Sequence, residues 1–302
     1  MKKNDTYSSR RRRRNNRTAF FFLLPGMIIY MGFIGGPVLV SLILSCFSYN
    51  ILQPAKWVGI ANFTEFFSNP RTMIIFQNTI KYALILIPLH TVIGLCLALI
   101  VDRQTHKMMS VLSRTAVYFP YLITTASAAV AWFYIFDGGN GVFNYFLAKL
   151  GQPPIHWLTD KKYTYLSLAI YSFWKYIGEP FLFYLVGLQS VPTDYFEAAK
   201  IDGANAFQLF FRVKLPLLTP TIFYVLVIKT IHCFQVFEEP YLLTKGGPGD
   251  STRSIALYLY DSAFVNFDMG YASAIAVVLF TATMIVTLLL FYSQKKWVCY
   301  DT

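Results

Sequence analysis

The chain has 302 residues, 56% of them hydrophobic and 14% charged, with 28 Phe and 21 Tyr. A soluble domain of this length cannot bury that much apolar surface, so a soluble enzyme or nucleic-acid module is excluded and a membrane protein is indicated. The formal charge of +11 does not reverse this, because its excess lies in Lys2, Lys3, Arg10 to Arg14 and Arg17, directly before an apolar run; such a flank suits cytoplasmic, anionic lipid headgroups rather than nucleic acid.

Residues 1–18 read as a basic tail, and 19–302 as an all-α membrane protein. Six transmembrane helices are predicted at about 20–47, 79–101, 111–136, 163–188, 217–237 and 270–292, each near the ~20 residues a bilayer core requires. The first block is too long for a signal-peptide core and is expected to stay as a span. Pro88, Pro120 and Pro180 fall inside spans or near their ends and predict local kinks.

Between the spans, Trp57 to Phe63, with Asn69-Pro70 after it, predicts short interfacial helices, and Asp137 to Gly141 and Lys245 to Asp250 predict turns. The second glycine run lacks the Gly-Lys-Ser/Thr ending of a phosphate loop, so no nucleotide site is expected there. Orientation follows from Lys and Arg. With the amino terminus inside, the tail together with Arg103, Lys107, Arg114, Lys200, Arg212, Lys214, Lys295 and Lys296 outnumbers Lys56, Arg71, Lys81, Lys149, Lys161, Lys162, Lys245 and Arg253 outside. Both termini are therefore predicted to be cytoplasmic.

Ionisable groups inside a span cost roughly 2.5–3.5 kcal/mol each, so they tend to face a cavity or one another. Ser172, Lys175, Tyr176 and Glu179 fall at i, i+3, i+4 and i+7 and share one helical face. Lys229, His232 and Cys233 repeat the spacing in the fifth span, with Gln235 and Glu238 farther along. The two faces predict a polar pocket near the membrane middle. The alternative is structural: Lys175 pairs with Glu179 across one turn and His232 is hydrogen-bonded within the bundle. Cys46, Cys96, Cys233 and Cys299, like the four histidines, are scattered without metal or disulfide spacing, and no catalytic set is visible; the chain reads as a non-enzyme.

The most informative stretch runs from Glu197 to Pro216. Asp194 with Glu197 suits a helix start, Ala198 and Ala199 continue it, and Gly203 permits the left-handed backbone that ends it. Phe207, Phe210 and Phe211 predict a second short amphipathic helix closed before Pro216. The expected motif is helix, turn, helix.

This stretch resembles the signature loop of binding-protein-dependent ABC importer permeases: Glu197-Ala198-Ala199, Asp202-Gly203-Ala204 and Leu215-Pro216 fall in register, with Val213 where the family more often has Ile. Phe22 to Pro25, Tyr118-Phe119-Pro120, Gly187 to Pro192, Leu243 to Gly249 and Phe267 to Ala272 extend the likeness to the carbohydrate-uptake, maltose-type branch, and to the first of its two permeases. The resemblance implies a six-transmembrane-helix type I ABC importer permease core in a bacterial plasma membrane, with residues 192–216 as a cytoplasmic coupling helix that docks on a separate ATPase. Glu197, Ala198, Ala199, Asp202, Gly203 and Ala204 would make that contact, and Ser172, Lys175, Tyr176, Glu179, Lys229, His232, Cys233 and Gln235 would line the sugar path. It further implies a second homologous permease, two ATPase subunits, an extracellular solute-binding protein and a carbohydrate substrate. ATP and Mg would be held by the ATPases, with no cofactor on this chain. Two lysines near the pocket leave room for an anionic solute such as an acidic sugar or a glycerophosphate. An ion-coupled secondary carrier using Lys175, Glu179 and Glu238 is the rival reading; it predicts inverted repeats, and none is visible.

Overall fold

The structure, a computed structural model, describes residues 3–50, 53–104 and 106–299, with the backbone alone for 3–15 and 17. The basic side chains of the predicted cytoplasmic flank, Lys2 to Arg17, lie outside the described residues.

Helix α1 (Lys3–Tyr30) passes through a π-helical turn at Met31–Gly35 into α2 (Gly36–Leu44). The backbone therefore shows no break at the predicted tail boundary. Strands β1 (Phe47–Ser48) and β2 (Lys56–Trp57) pair antiparallel ahead of α3 (Ala61–Ser68), whose Asn62 amide donates to the carbonyls of Ser45 and Phe47 at 2.8 and 2.9 Å.

Helix α4 (Pro70–Asp102) starts well before the predicted Thr79. Asn69 caps it by accepting from the Arg71 amide, and Pro70 takes the first helical position, so polar first turns that hydropathy overlooks are helical too. The third predicted span is two helices, α5 (Lys107–Leu122) and α6 (Thr125–Ile135), bent by 100° at the break. After α7 (Val142–Lys149), the fourth is likewise two, α8 (Thr164–Tyr176) and α9 (Gly178–Ser190), parted at Ile177.

There follow α10 (Thr193–Ile201), α11 (Ala206–Leu209), a π-helical turn at Phe210–Lys214, α12 (Leu215–Leu217) and α13 (Thr219–Phe234). The axis bends by 60° between Leu217 and Thr219. A π-helical turn at Pro240–Thr244, α14 (Ile255–Tyr260) with a π-helical continuation, and α15 (Met269–Gln294) complete the chain. Among the described residues three helices are long and apolar enough to cross a membrane, or five if each bent pair counts once. The remaining predicted span is the α8 and α9 pair.

Helix α4 is the mast of the bundle. Arg71 at one end meets Asp250 at 2.6 Å, and Asp102 at the other meets Lys214 at 3.7 Å. At 1.5 Å per residue these contacts lie about 46 Å apart, so the Lys245–Asp250 turn and the 192–216 loop sit at opposite ends. A core of Phe66, Ile75, Tyr82, Leu86, Trp132, Tyr171 and Ile275 packs towards the Arg71 end, and a second core of Ala98, Val101, Phe181, Tyr184 and Leu218 towards the Asp102 end. Gly94 lets α9 close on α4, since a Cβ there would stand 3.2 Å from the Pro180 Cβ.

Candidate functional site

Three interruptions meet in one place: the α5/α6 break, the α8/α9 junction and the end of α13. They leave a cavity of about 550 Å³ walled by Tyr121, Ile123, Thr124 and Thr125 from the first, Lys175 and Tyr176 from the second, and His232 with residues 235–239 from the third. Phe173 stacks on His90 at 6.0 Å and Pro180 abuts Gly94, which sets this level about 30 Å along α4 from Arg71 and about 15 Å from Asp102. The cavity thus lies within the apolar length of the bundle.

Of the predicted pocket residues, Lys175, Tyr176, His232 and Gln235 come together on its wall. Gln235 is exposed to it, and the Tyr176 and His232 rings meet edge to face at 4.6 Å. Ser172, Glu179, Lys229 and Cys233 are not on the wall. Ser172 is buried and donates to Glu239 Oε1 at 3.1 Å, while Cys233 is packed in the larger core.

Lys175 and Glu179 do not pair with each other. The Lys175 ammonium donates to the carbonyls of Pro120, Tyr121 and Ile123 at 2.9, 3.0 and 2.6 Å. Glu179 instead accepts from Lys229 at 2.6 Å and from the Tyr121 hydroxyl at 3.3 Å. The reason is the helix break itself: it turns three carbonyls loose on one side, and an ammonium with three protons satisfies them all. Lys229 lies off the wall and gives a second bond to the Tyr176 carbonyl at 3.3 Å, while all three Lys175 protons are taken, so neither ammonium stands free on the cavity wall.

Sequence reasoning missed Tyr121, Thr124, Thr125 and Glu239 on this wall. One local signal was available. Thr124 accepts from the Ser127 amide as the cap of α6, and a Thr-x-x-Ser following Tyr-Phe-Pro marks a restart within a span.

The second feature is the 192–216 loop. Helix α10 buries none of its residues, and Glu197, Ala198, Asp202 and Gly203 are exposed, with Ala199 and Ala204 half-buried. Gly203 adopts φ 81°, the left-handed turn expected of it, with open space around its Cα. Two local expectations are corrected. The start of α10 carries no side-chain cap at Asp194 or Glu197; Pro192 sets it, and the reciprocal capping box lies one helix later, between Asn205 and Gln208. Nor does the second helix close before Pro216: it runs on through the π-helical turn and across Pro216 to Leu217. Large apolar groups stand out of this loop, with Ile201 86% and Phe207 70% exposed.

At the opposite end Asp250 bonds to both Arg71 and Arg253. Burial works against its charge, but these hydrogen bonds outweigh it and hold the carboxyl below the ordinary aspartate range.

The sulfoquinovosyl glycerol transport system permease protein SmoG of Agrobacterium fabrum is 34% identical, over 88% of this chain and 86% of its own length. The trehalose/maltose transport system permease protein MalF of Thermococcus litoralis is 32% identical, over 88% and 90%. Among solved structures, a chain of a bacterial alginate ABC transporter in complex with an alginate pentasaccharide-bound periplasmic protein superposes with a TM-score of 0.84 at 21% identity, covering 96% of this chain and 98% of that one. That likeness carries the fold: helices broken around a central cavity, with a helical loop at one end. Residues 90–298 match the family described as binding-protein-dependent transport system inner membrane component, and the chain belongs to that family of ABC transporter permeases, which are transport subunits and not enzymes.

Proposed function

We propose that this chain is one of two permease subunits of an importer that carries a sugar or oligosaccharide into the cytoplasm by alternating access. The observation that carries this is the cavity wall, where the rings of Tyr121, Tyr176 and Phe237 alternate with Gln235 and Glu238. Aromatic faces stack on the apolar faces of sugar rings, while amide and carboxylate groups bond their hydroxyls. The names of the relatives, which include carriers of trehalose and maltose, support the same class.

In this reading a second, similar permease supplies the facing half of the cavity, and a solute-binding protein delivers substrate at the Lys245–Asp250 end. Two ATPase subunits grip the 192–216 loop from the cytoplasm, where both termini also lie, and the chain itself holds no cofactor. ATPase closure would push the loop and rock the bundles about the cavity. An uncharged glycan is favoured over an anionic one. The two lysines that invited an anion are engaged, Lys175 by carbonyls and Lys229 by Glu179, and the acidic Glu238 stands exposed on the cavity wall.

The test is the whole assembly in liposomes with its binding protein, screened with neutral, amino and acidic glycans for stimulated ATP hydrolysis. Stimulation by a neutral glycan is expected. Stimulation by acidic glycans alone would overturn the charge assignment, and transport by this chain without any ATPase would overturn the whole reading.

A further inference from the structure

Among the described residues the buried Lys175 has no partner of opposite charge at hydrogen-bond distance. Its three bonds all go to carbonyls at or beside the α5/α6 break. One turn earlier on the same helix, the fully buried Tyr171 donates to the Thr125 carbonyl at 3.0 Å, on the other side of the break. Helix α8 therefore holds both limbs of the 100° bend. A carbonyl turned out of its helix needs a donor from elsewhere, and the end of α5 adds its partial negative charge. Carbonyls at the ends of broken helices are where ion-coupled carriers seat a sodium ion. Here a tethered ammonium stands in that position.

We propose that Lys175 is a positioning residue: a built-in cation that fixes the α5/α6 bend and so places Tyr121, Thr124 and Thr125 on the cavity wall, with no dissociable ion required. This deepens the reading of the cavity as a glycan site and rests on it for the transport readout. Lys175 acts through the bend, because its three protons are engaged and none is left to donate to a substrate.

The experiment uses the assembled transporter, cysteine-free except for spin labels at Phe119→Cys on α5 and Phe133→Cys on α6, both exposed positions. The interspin distance distribution is measured by pulsed electron paramagnetic resonance, and the KM for glycan uptake is measured on unlabelled protein. Parental Lys175 protein should give one narrow distance, identical in sodium and choline buffers. Lys175→Met, which keeps the stem and removes the donors, should broaden or shift it and raise KM about tenfold or more, the loss expected from 1.4 kcal/mol. Should that variant fail to assemble, Tyr171→Phe removes one donor to the same break without touching the charge, and a smaller broadening is expected.

An unchanged distance in either assembled variant would overturn the proposal, and an unchanged distance with a raised KM would make Lys175 a direct substrate contact instead. A sodium-dependent distance in the parental protein would also overturn it. If no glycan is transported, the functional reading fails, yet the distance measurement still decides the role of Lys175.

Discussion

The 192–216 loop and the central cavity are built on opposite plans. The loop is local: Gly203 at φ 81° turns it, Asn205 and Gln208 cap each other three residues apart, and Phe207 and Phe211 pack on each other at 4.4 Å while Ile201 and Phe207 stay exposed. The cavity is non-local. Lys175 satisfies carbonyls more than fifty residues earlier, and Lys229 reaches fifty residues back to Glu179. A loop that needs a partner to cover it can be specified by its own short sequence. A cavity that must stay polar inside a membrane needs its polar groups satisfied from several helices at once.

The largest effect that would sharpen this contrast comes from the loop. Gly203→Val meets no neighbour but must hold a left-handed backbone, at about 1–2 kcal/mol for an L residue without a short polar side chain. Uptake should be almost abolished while the subunit remains in the membrane at normal abundance and ATP hydrolysis ceases to respond to substrate. Normal uptake would show that the loop's shape is dispensable.

Next is the pair inside the bundle. Lys229→Met leaves Glu179, whose side chain is 21% exposed, with the Tyr121 hydroxyl alone. Removing one member of a buried pair costs about 3–5 kcal/mol, and the partial exposure of Glu179 places this case at the low end. The purified complex should unfold at a lower temperature, and adding Glu179→Gln should restore part of the loss. Equal stability of the single variant would mean the pair is immaterial.

The division between the regions also explains what could be read from the sequence. The Ala198-Ala199 pair, Gly203 and Leu215-Pro216 identify the loop because their meaning is carried by neighbours in the chain. The polar faces of the fourth and fifth spans were legible as faces, and Tyr176, His232 and Gln235 do meet at the cavity. Their partners were not legible. Helical spacing suggested a Lys175 to Glu179 pair, but the break after Leu122 offers three carbonyls that no periodicity reveals, and Lys175 takes those. The same break hid Tyr121, Thr124 and Thr125 inside what hydropathy reads as one continuous span.

A smaller effect is expected at the wall itself. Gln235 is exposed on the cavity wall and bonds no side chain among the described residues, so Gln235→Ala should raise KM by about three- to tenfold, equivalent to the 0.5–1.5 kcal/mol of one hydrogen bond, with assembly unaltered. Unaltered kinetics with every transported glycan would remove it from the substrate path.

The smallest effect concerns the far end. The Asp250 carboxyl is held below its unfolded value of 3.8, so its contribution is fully present above that value and is lost only as pH falls through the still lower folded value. The Arg71 side chain is 55% exposed, so solvent screening keeps that pair below about 1 kcal/mol, and Arg253 retains a carboxylate partner in Asp261 when Asp250 is neutralised. Asp250→Asn should therefore shift thermal stability by only a degree or two, with no pH dependence between pH 5 and 8. A stability difference that grows across that window would contradict the assignment.

The central claim is that the exposed loop is a cytoplasmic handle for a motor carried on other subunits. Ala198→Cys, in a cysteine-free background within the complete transporter, tests it by site-directed crosslinking and thiol labelling. A crosslink from position 198 to the ATPase that arrests uptake, with protection from membrane-impermeant reagent added outside intact cells, is the predicted result. Labelling of that cysteine from outside, with no crosslink to the ATPase, would contradict the account.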